Sequence, residues 1–495
     1  MHARVRIVAA LVLLTGLAAA LAGGCAAVRP TGRLTIGVLA LPSAADPASA
    51  DNPGLLTLAY ETLVARGPDG NFYPGLAKDW TVAPDGRALT LHLRTGVKFS
   101  DGADVTARDA AASLRRLQEL DPAALGPLES IEVVGEQTLT IRMARPYPPI
   151  WGGLAAPRAA IVKLGPDGRP LGSGPFVIEE LTADSLRLTV NPGYRWAPGY
   201  YRVRGPARVA EIVVRRFADA GALAAAMDAG AVDVVGTAGA APLTAKQGWT
   251  TVAAPGQSLV YIGFNVRRPP FDDARVRRAI ALLAAPGRAA AARAQPGWVP
   301  TVAYLPGAAW GAAEAAPSGD AAALLAEAGY RRGADGFYRS GGRALELIIT
   351  TTERAADQAV AAAVADALRK AGIAASVRAR GDYPAVVVFG DCDAYLGRFT
   401  WGEPDILYYL LHTGVETNRS GFADARVDRL LEAAAGAVNL SDRRSVYEAL
   451  QVRLAEACPW IPLLNDREEW LVRPGVRNVR VGVGGCLYLT TADVR

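Results

Sequence analysis

The sequence predicts an α/β protein of two or more lobes, and three observations carry that prediction. The chain has 495 residues, more than a single hydrophobic core organises. Short runs of period-2 alternation recur along it. Leu89, Leu91 and Leu93, set between Thr90, His92 and Arg94, show the pattern of a half-buried strand. In the C-terminal half, helical and strand patterns follow one another directly, which builds an α/β lobe.

Taken in order, residues 1–24 read as a leader rather than as structure. Arg4 and Arg6 make its start basic. Residues 7–21 are an apolar run, shorter than the roughly 20 residues a membrane-spanning helix needs. Ala22-Gly23-Gly24-Cys25 resembles a lipobox, so Cys25 is the expected lipidation site; the alternative is a secretory leader with a chance cysteine. Two or more acyl chains would anchor the protein stably to the cell membrane on its extracytoplasmic face, through a tether over 25–32. Without Arg4 and Arg6 the formal charge falls from +5 to +3, too small and scattered to suggest nucleic acid. Cys392, Cys458 and Cys486 remain beyond the leader. In an oxidising compartment one pair can bridge, with Cys458 and Cys486 the pair favoured.

Residues 33–41 read as the first strand, followed by a polar loop through Asp46-Pro47. Asp101-Gly102 is a turn, and Thr106 with Asp109 opens an Ala-rich helix as a capping pair. Strand patterns recur at Leu139, Ile141 and Met143, and at Leu186, Leu188 and Val190. The Ala-rich stretch after Leu282 is read as shortened or loosely ordered. Asp320 caps a helix that closes at Gly329, with Leu324 and Leu325 inward. Val360, Val364 and Leu368 mark an amphipathic helix closed by Gly372, and a strand over 373–377 follows. Val386-Val387-Val388-Phe389 reads as a fully buried strand. Residues 441–457 are the last long helix, with Val446, Leu450 and Leu454 on one face.

No catalytic constellation emerges. There is no H-E-x-x-H, no serine in G-x-S-x-G, and no S-x-x-K; Gly482-x-Gly484 lacks the third glycine of a dinucleotide loop. With His2 in the leader, only His92 and His412 remain. His92 is expected on a surface, and His412 is either structural or near a cleft. The expectation is a protein that is not an enzyme, with no cofactor and no resident metal.

The order of certain words resembles one family: the extracytoplasmic solute-binding proteins, family 5, of peptide/nickel-type ABC importers. The segment 74–113 is similar to its P-G-L-A-x-x-W and D-G-x-x-x-T-x-x-L-R-x-G-V-x-F-x-D-G words. Tyr60-Glu61-Thr62-Leu63, Gly172-Ser173-Gly174-Pro175-Phe176, Asn191-Pro192 with Tyr194 and Trp196, and Pro270-Phe271-Asp272-Asp273-Ala274-Arg275-Val276-Arg277 also resemble family words. The resemblance implies a two-lobed periplasmic-binding-protein-like fold, class II, with an inserted subdomain. It places lobe I at 33–59, 172–255 and 478–495, the insert at 60–171 and lobe II at 256–477, with hinge segments near Pro255 and residue 477. It further implies a small solute captured between the lobes, oligopeptide-like or otherwise polar, and delivery to ABC permease and ATPase subunits by a monomer. A sensor lipoprotein and a receptor for a nickel chelate are the alternatives.

The resemblance puts the ligand beside residues 395–405. There Tyr395, Arg398, Thr400, Trp401 and Glu403 are candidate ligand contacts, with Asn52 from an earlier loop. Thr400 stands where peptide-binding members place an aspartate for the ligand's α-amino group, and a hydroxyl does not replace a charge partner. Trp401 reads as cleft wall or core, Arg398 as a carboxylate grip or a structural ion pair. Glu403 and Asp405 read as ligand-facing or loop-shaping.

Overall fold

Period-2 alternation becomes a strand wherever one face can be buried, and Leu89, Leu91 and Leu93 do lie inward while the residues between them stay half-exposed. The computed structural model describes residues 30, 32–201, 205–237, 243, 247–295, 297–306, 310 and 317–494. The leader, Cys25 and most of the tether lie outside the described residues.

In chain order, β1 is Arg33–Val38. A small antiparallel sheet is then built from β2 (Ala77–Val82), β3 (Ala88–Leu93), β4 (Leu128–Gly135) and β5 (Thr138–Met143), in the order β2-β3-β5-β4. It is covered by α1 (Ala107–Leu120), and α2 (Ile150–Ala155) follows. The chain returns through β6 (Phe176–Leu181), β7 (Ser185–Val190), β8 (Glu211–Arg216) and β9 (Val234–Gly236). The long strand β10 (Thr250–Phe264) leads to α3 (Ala274–Leu283) and α4 (Ala285–Ala294). Further along lie β11 (Glu346–Thr351), α5 (Ala355–Lys370), β12 (Ala374–Ala379), α6 (Tyr383–Phe389), β13 (Ala394–Thr400), α7 (Leu440–Ala457) and β14 (Trp460–Val472), with other elements between them.

Helix α1 opens as the sequence predicts. The Asp109 amide donates to Thr106 Oγ1, and the Thr106 amide donates to Asp109 Oδ2 at 2.9 Å, a reciprocal capping box.

One sheet runs through both lobes in the order β6-β7-β8-β1-β9-β14-β10-β13-β11-β12. The first core gathers apolar residues from 34–60, 160–254 and 470–492. The second lies between 260 and 464, and a third fills the small sheet and α1. Among the described residues, only β10 and β14 serve both large cores. Their ladder pairs residues 250–255 with 472–467, breaks register, then resumes at 259–263 against 465–460. The break at Pro255-Gly256-Gln257 is where a hinge near Pro255 was expected. An added Cβ at Gly256 would overlap the Asp466 carboxylate, so the crossing is tight. The second crossing is made by β14 itself rather than near residue 477: Ile461 and Leu464 sit in the second core, Trp470 and Val472 in the first.

Three expectations are corrected. Val386-Val387-Val388-Phe389 is the end of helix α6, not a strand. Pro384 occupies its first turn and Gly390, at φ 71°, stops it in the left-handed region. Val386 and Val387 face inward, whereas Phe389 is 79% exposed. Four consecutive apolar residues have no period to separate helix from strand. The Ala-rich stretch is helix α4, held by Arg288, whose buried guanidinium donates from Nε to the Pro462 carbonyl at 2.8 Å. No Cys458–Cys486 bridge forms. All three cysteines are buried and unpaired, because Cys458 packs in the second core while Cys486 lies in the wall of the cavity described below.

The word around Phe271 is scaffold. Phe271 stacks on Phe264 at 5.6 Å, and buried Arg277 donates to the carbonyls of Phe271 (2.7 Å), Asp272 (3.0 Å) and Cys458 (2.9 Å). One side chain thereby ties the start of α3 to the end of α7.

Candidate functional site

Three segments far apart in sequence converge because glycines let their backbones touch. Gly172 and Gly174 lie against Ala59: the Gly174 amide donates to the Ala59 carbonyl at 2.9 Å, and an added Cβ there would sit 2.6 Å from the same carbonyl. Asn191 Nδ2 donates to the Gly174 carbonyl at 2.9 Å, which fixes the loop carrying Tyr194 and Trp196. These contacts present Glu61 to a cavity of about 400 Å³. Its walls come from 52–66, 152–160, 194–201 and 483–489 on one side, and from Gln257, Gly402 and Glu403 on the other. The volume suits a small molecule.

Aromatic side chains dominate the wall. Tyr200 packs edge-on against Tyr488 with ring centres 5.2 Å apart, Tyr201 lies 5.0 Å from Tyr200, and Tyr194 and Trp196 are 6.2 Å apart. Tyr488 Oη donates to the Arg66 carbonyl. The charged residues lining the cavity, among those described, are Glu61, Arg66 and Glu403.

Glu61 accepts from Ser173 Oγ at 2.8 Å and from Tyr194 Oη at 2.9 Å. Burial raises its carboxyl from the ordinary 4.5 to about 8, against the neighbouring donors Ser173, Tyr194 and Trp196 and the charge of Arg94. Glu403 is held from behind by Arg443 of α7, Nη1 to Oε2 at 2.8 Å. Burial raises Glu403 to about 7, with the charges of Arg443 and Arg66 working the other way. Arg66 donates to the carbonyls of Gly70 (3.2 Å) and Gly402 (3.5 Å) and lies over the Phe72 ring, so it joins the two sides of the cavity.

A second contact closes the cavity from below. Arg443 is fully buried, donates to the Pro148 carbonyl at 3.1 Å, and lies over the rings of Trp310 (4.8 Å) and Tyr447 (5.7 Å). Trp151 Nε1 donates to the Val438 carbonyl at 2.6 Å. An added Cβ at Gly152 would overlap Glu403 Oε1, so α2 sits directly on that carboxylate.

The sequence-derived candidates divide. Asn52 and Glu403 line the cavity. Trp401 is 47% exposed, which removes the core reading; it donates to Asp405 at 2.9 Å and faces a small recess beside the cavity. Tyr395, Arg398 and Thr400 line neither. Tyr395 is buried against Tyr261 at 6.1 Å. Arg398 pairs with Asp357 at 3.1 Å and lies over Trp298 at 4.8 Å, which is the structural ion-pair reading. Thr400 shares a hydrogen bond with Ser258 at 2.8 Å. They sit on β13, paired with β10 inside the second lobe, where alternation sends side chains to the two sheet faces rather than to the lobe boundary. His412 stacks on Tyr408 and pairs with Glu432, and His92 pairs with Asp79, both away from the cavity.

Glu61, Tyr194, Trp196, Tyr200, Tyr201 and Tyr488 are cavity residues that sequence reasoning left in the scaffold. One signal was available: Tyr194, Trp196, Tyr200 and Tyr201 put four aromatic residues into eight positions of a chain that is 7% aromatic. Among the described residues no cluster of three or more His, Cys, Asp or Glu is placed to hold a metal ion, and no helix is long and apolar enough to cross a membrane.

Comparison with known proteins agrees with this architecture. The chain is 26% identical over 455 residues to heme-binding protein A of Haemophilus influenzae, covering 79% of each. It is 26% identical over 442 residues to the glutathione-binding protein of Salmonella typhimurium, covering 82% of this chain and 83% of that one. A solved nickel ABC transporter protein from Bacillus halodurans shares the fold with a TM-score of 0.80 at 20% identity, over 94% of this chain and 100% of its own. The unliganded open form of the periplasmic murein tripeptide binding protein MppA does so with a TM-score of 0.75 at 21% identity, over 92% and 97%. Residues 71–421 match the model of the bacterial extracellular solute-binding proteins, family 5, and the chain belongs to that family.

Proposed function

We propose that this protein is the receptor of an ABC importer, lipid-anchored through Cys25 on the extracytoplasmic face, and that it captures a small polar or peptide-sized solute in the aromatic cavity and passes it to the permease. The observation that carries the reading is the cavity itself: residues of the first lobe and insert form one wall, and Gln257, Gly402 and Glu403 of the second form the other. A solute held there touches both lobes. It therefore favours the closed arrangement over any open one by its differential contacts. The register break in the β10–β14 ladder is the natural place for the rotation. Membership of a family of solute-binding proteins supports binding rather than catalysis.

A ligand that binds only the folded state stabilises it, by about 2.7 kcal/mol at a hundredfold excess over Kd. Thermal melts with di- and tripeptides, glutathione, heme, nickel chelates, amines and sugars should therefore show at least one solute class raising Tm by several degrees. A melt that no class moves would contradict the receptor reading.

A further inference from the structure

We propose that the solute carries a basic nitrogen and no free carboxylate, and that its flat or apolar body lies on the tyrosine–tryptophan wall. This rests on the receptor reading above and narrows it.

The charge of the lining points this way. Two of its three charged residues are carboxylates, one supplied by the insert and one by the second lobe. The third, Arg66, turns Nε to the Gly70 carbonyl and Nη2 to the Gly402 carbonyl and lies over the Phe72 ring, so part of its guanidinium is engaged within the wall. Arg443 faces Glu403 from the side away from the cavity, fully buried among Pro148, Trp310 and Tyr447. Arg398, the residue expected to grip a carboxylate, is paired with Asp357 outside the cavity. A ligand carboxylate desolvated here meets two acidic groups against one guanidinium that is already partly engaged. A basic nitrogen meets acceptors from both lobes, so the same contact that binds it also favours closure.

The aromatic wall fits the same class. The rings of Tyr200, Tyr201 and Tyr488 attract a desolvated cation and stack on a flat body, while the Trp196 ring already carries the Arg94 guanidinium at 5.0 Å. Burial already holds Glu61 and Glu403 well above the ordinary carboxyl range. The groups facing them are Ser173, Tyr194, Trp196, Tyr200, Tyr201 and Arg94 for Glu61, and Arg443, Arg66 and Asp405 for Glu403. A cation arriving between them displaces protons, and its affinity rises with pH. A carboxylate-bearing solute would be accepted only by the protonated forms, and its affinity would rise as pH falls.

Titration calorimetry of the full chain with tryptamine, N-acetyltryptophan amide and N-acetyltryptophan tests this, because the three share an indole and at pH 8 are cationic, neutral and anionic. At pH 8 the cationic probe should bind roughly tenfold or more tighter than the anionic one. Gln257→Lys, which adds a cation to the lining without touching the Glu403–Arg443 pair, should narrow or reverse that gap. An anionic probe that binds tightest, or three equal affinities, overturns the proposal. If none of the three binds, native mass spectrometry of the protein purified from its own host decides. A retained solute with a basic nitrogen and no carboxylate supports the class. One with a free carboxylate overturns the class and leaves the receptor reading standing. A cavity that retains nothing overturns both.

Discussion

Replacing Arg443 by Ala should destabilise the protein by about 3–5 kcal/mol, the range for breaking one partner out of a buried ion pair. The arginine is fully buried and cannot turn to water, and the Glu403 side chain is only 14% exposed. Removing the guanidinium leaves Glu403 uncompensated beneath α2. It also removes the donor to the Pro148 carbonyl and the cation seated against Trp310 and Tyr447. Because Trp151 packs in the third core while Glu403 and Val438 come from the chain beyond β13, the loss should also loosen the floor of the cavity. Denaturant unfolding of the purified protein checks the magnitude. A double variant, Arg443→Met with Glu403→Leu, should recover much of the loss, since an apolar pair of similar volume carries no desolvation cost. A single-variant cost below about 1 kcal/mol, the range of exposed pairs, would mean the pair is effectively solvated.

Thermal stability of the ligand-free protein should fall between pH 5 and pH 9. Glu61 and Glu403 both have folded-state carboxyls raised above the ordinary 4.5, to about 8 and about 7, chiefly by burial. A raised acid binds its proton more tightly in the folded state than in the unfolded one. Its stabilising contribution is complete below the ordinary value and is lost as pH rises through the folded value. The decline should therefore run from about pH 5 to just above 8. Carboxylates held low by partners, such as Asp424 beside Arg453, lose their contribution only at more acid pH and do not mask it. Glu61→Gln keeps the shape, accepts from one of Ser173 and Tyr194 and donates to the other hydroxyl, but removes the titration, so its melting temperature should depend less on pH over the same range. An unchanged slope in that variant would assign the dependence elsewhere.

Much of the fold is legible in the sequence because local chemistry and burial agree there. Thr106 and Asp109 make the capping box that opens α1, and Leu89, Leu91 and Leu93 fill the third core. Val360, Val364 and Leu368 are all fully buried on α5. The run at 386–389 misleads because a short apolar stretch has no period, and the deciding residues are its neighbours Pro384 and Gly390. On α7 the inward face includes Arg443 and Tyr447 as well as Leu450 and Leu454. No sequence pattern announces a buried arginine whose partner is 40 residues away.

The site is less legible for a physical reason. Residues 395–400 border the cavity in sequence but are bound into β13, whereas only the turn after it, at Gly402 and Glu403, reaches the lobe boundary. The aromatic wall is assembled from segments around 60, 174, 194–201 and 488, brought together by Ala59 against Gly172 and Gly174. Each segment reads as scaffold when taken alone. Their function lies in the convergence, which only tertiary contacts show.

The central claim is that a solute binds between the lobes in this aromatic cavity, and a crystal structure of the protein purified with its solute tests it most directly. Density is expected in contact with Tyr200 and Tyr488 on one side and Glu403 on the other. Density seated instead at Arg398 and Tyr395 within the second lobe, with the cavity empty, would contradict it.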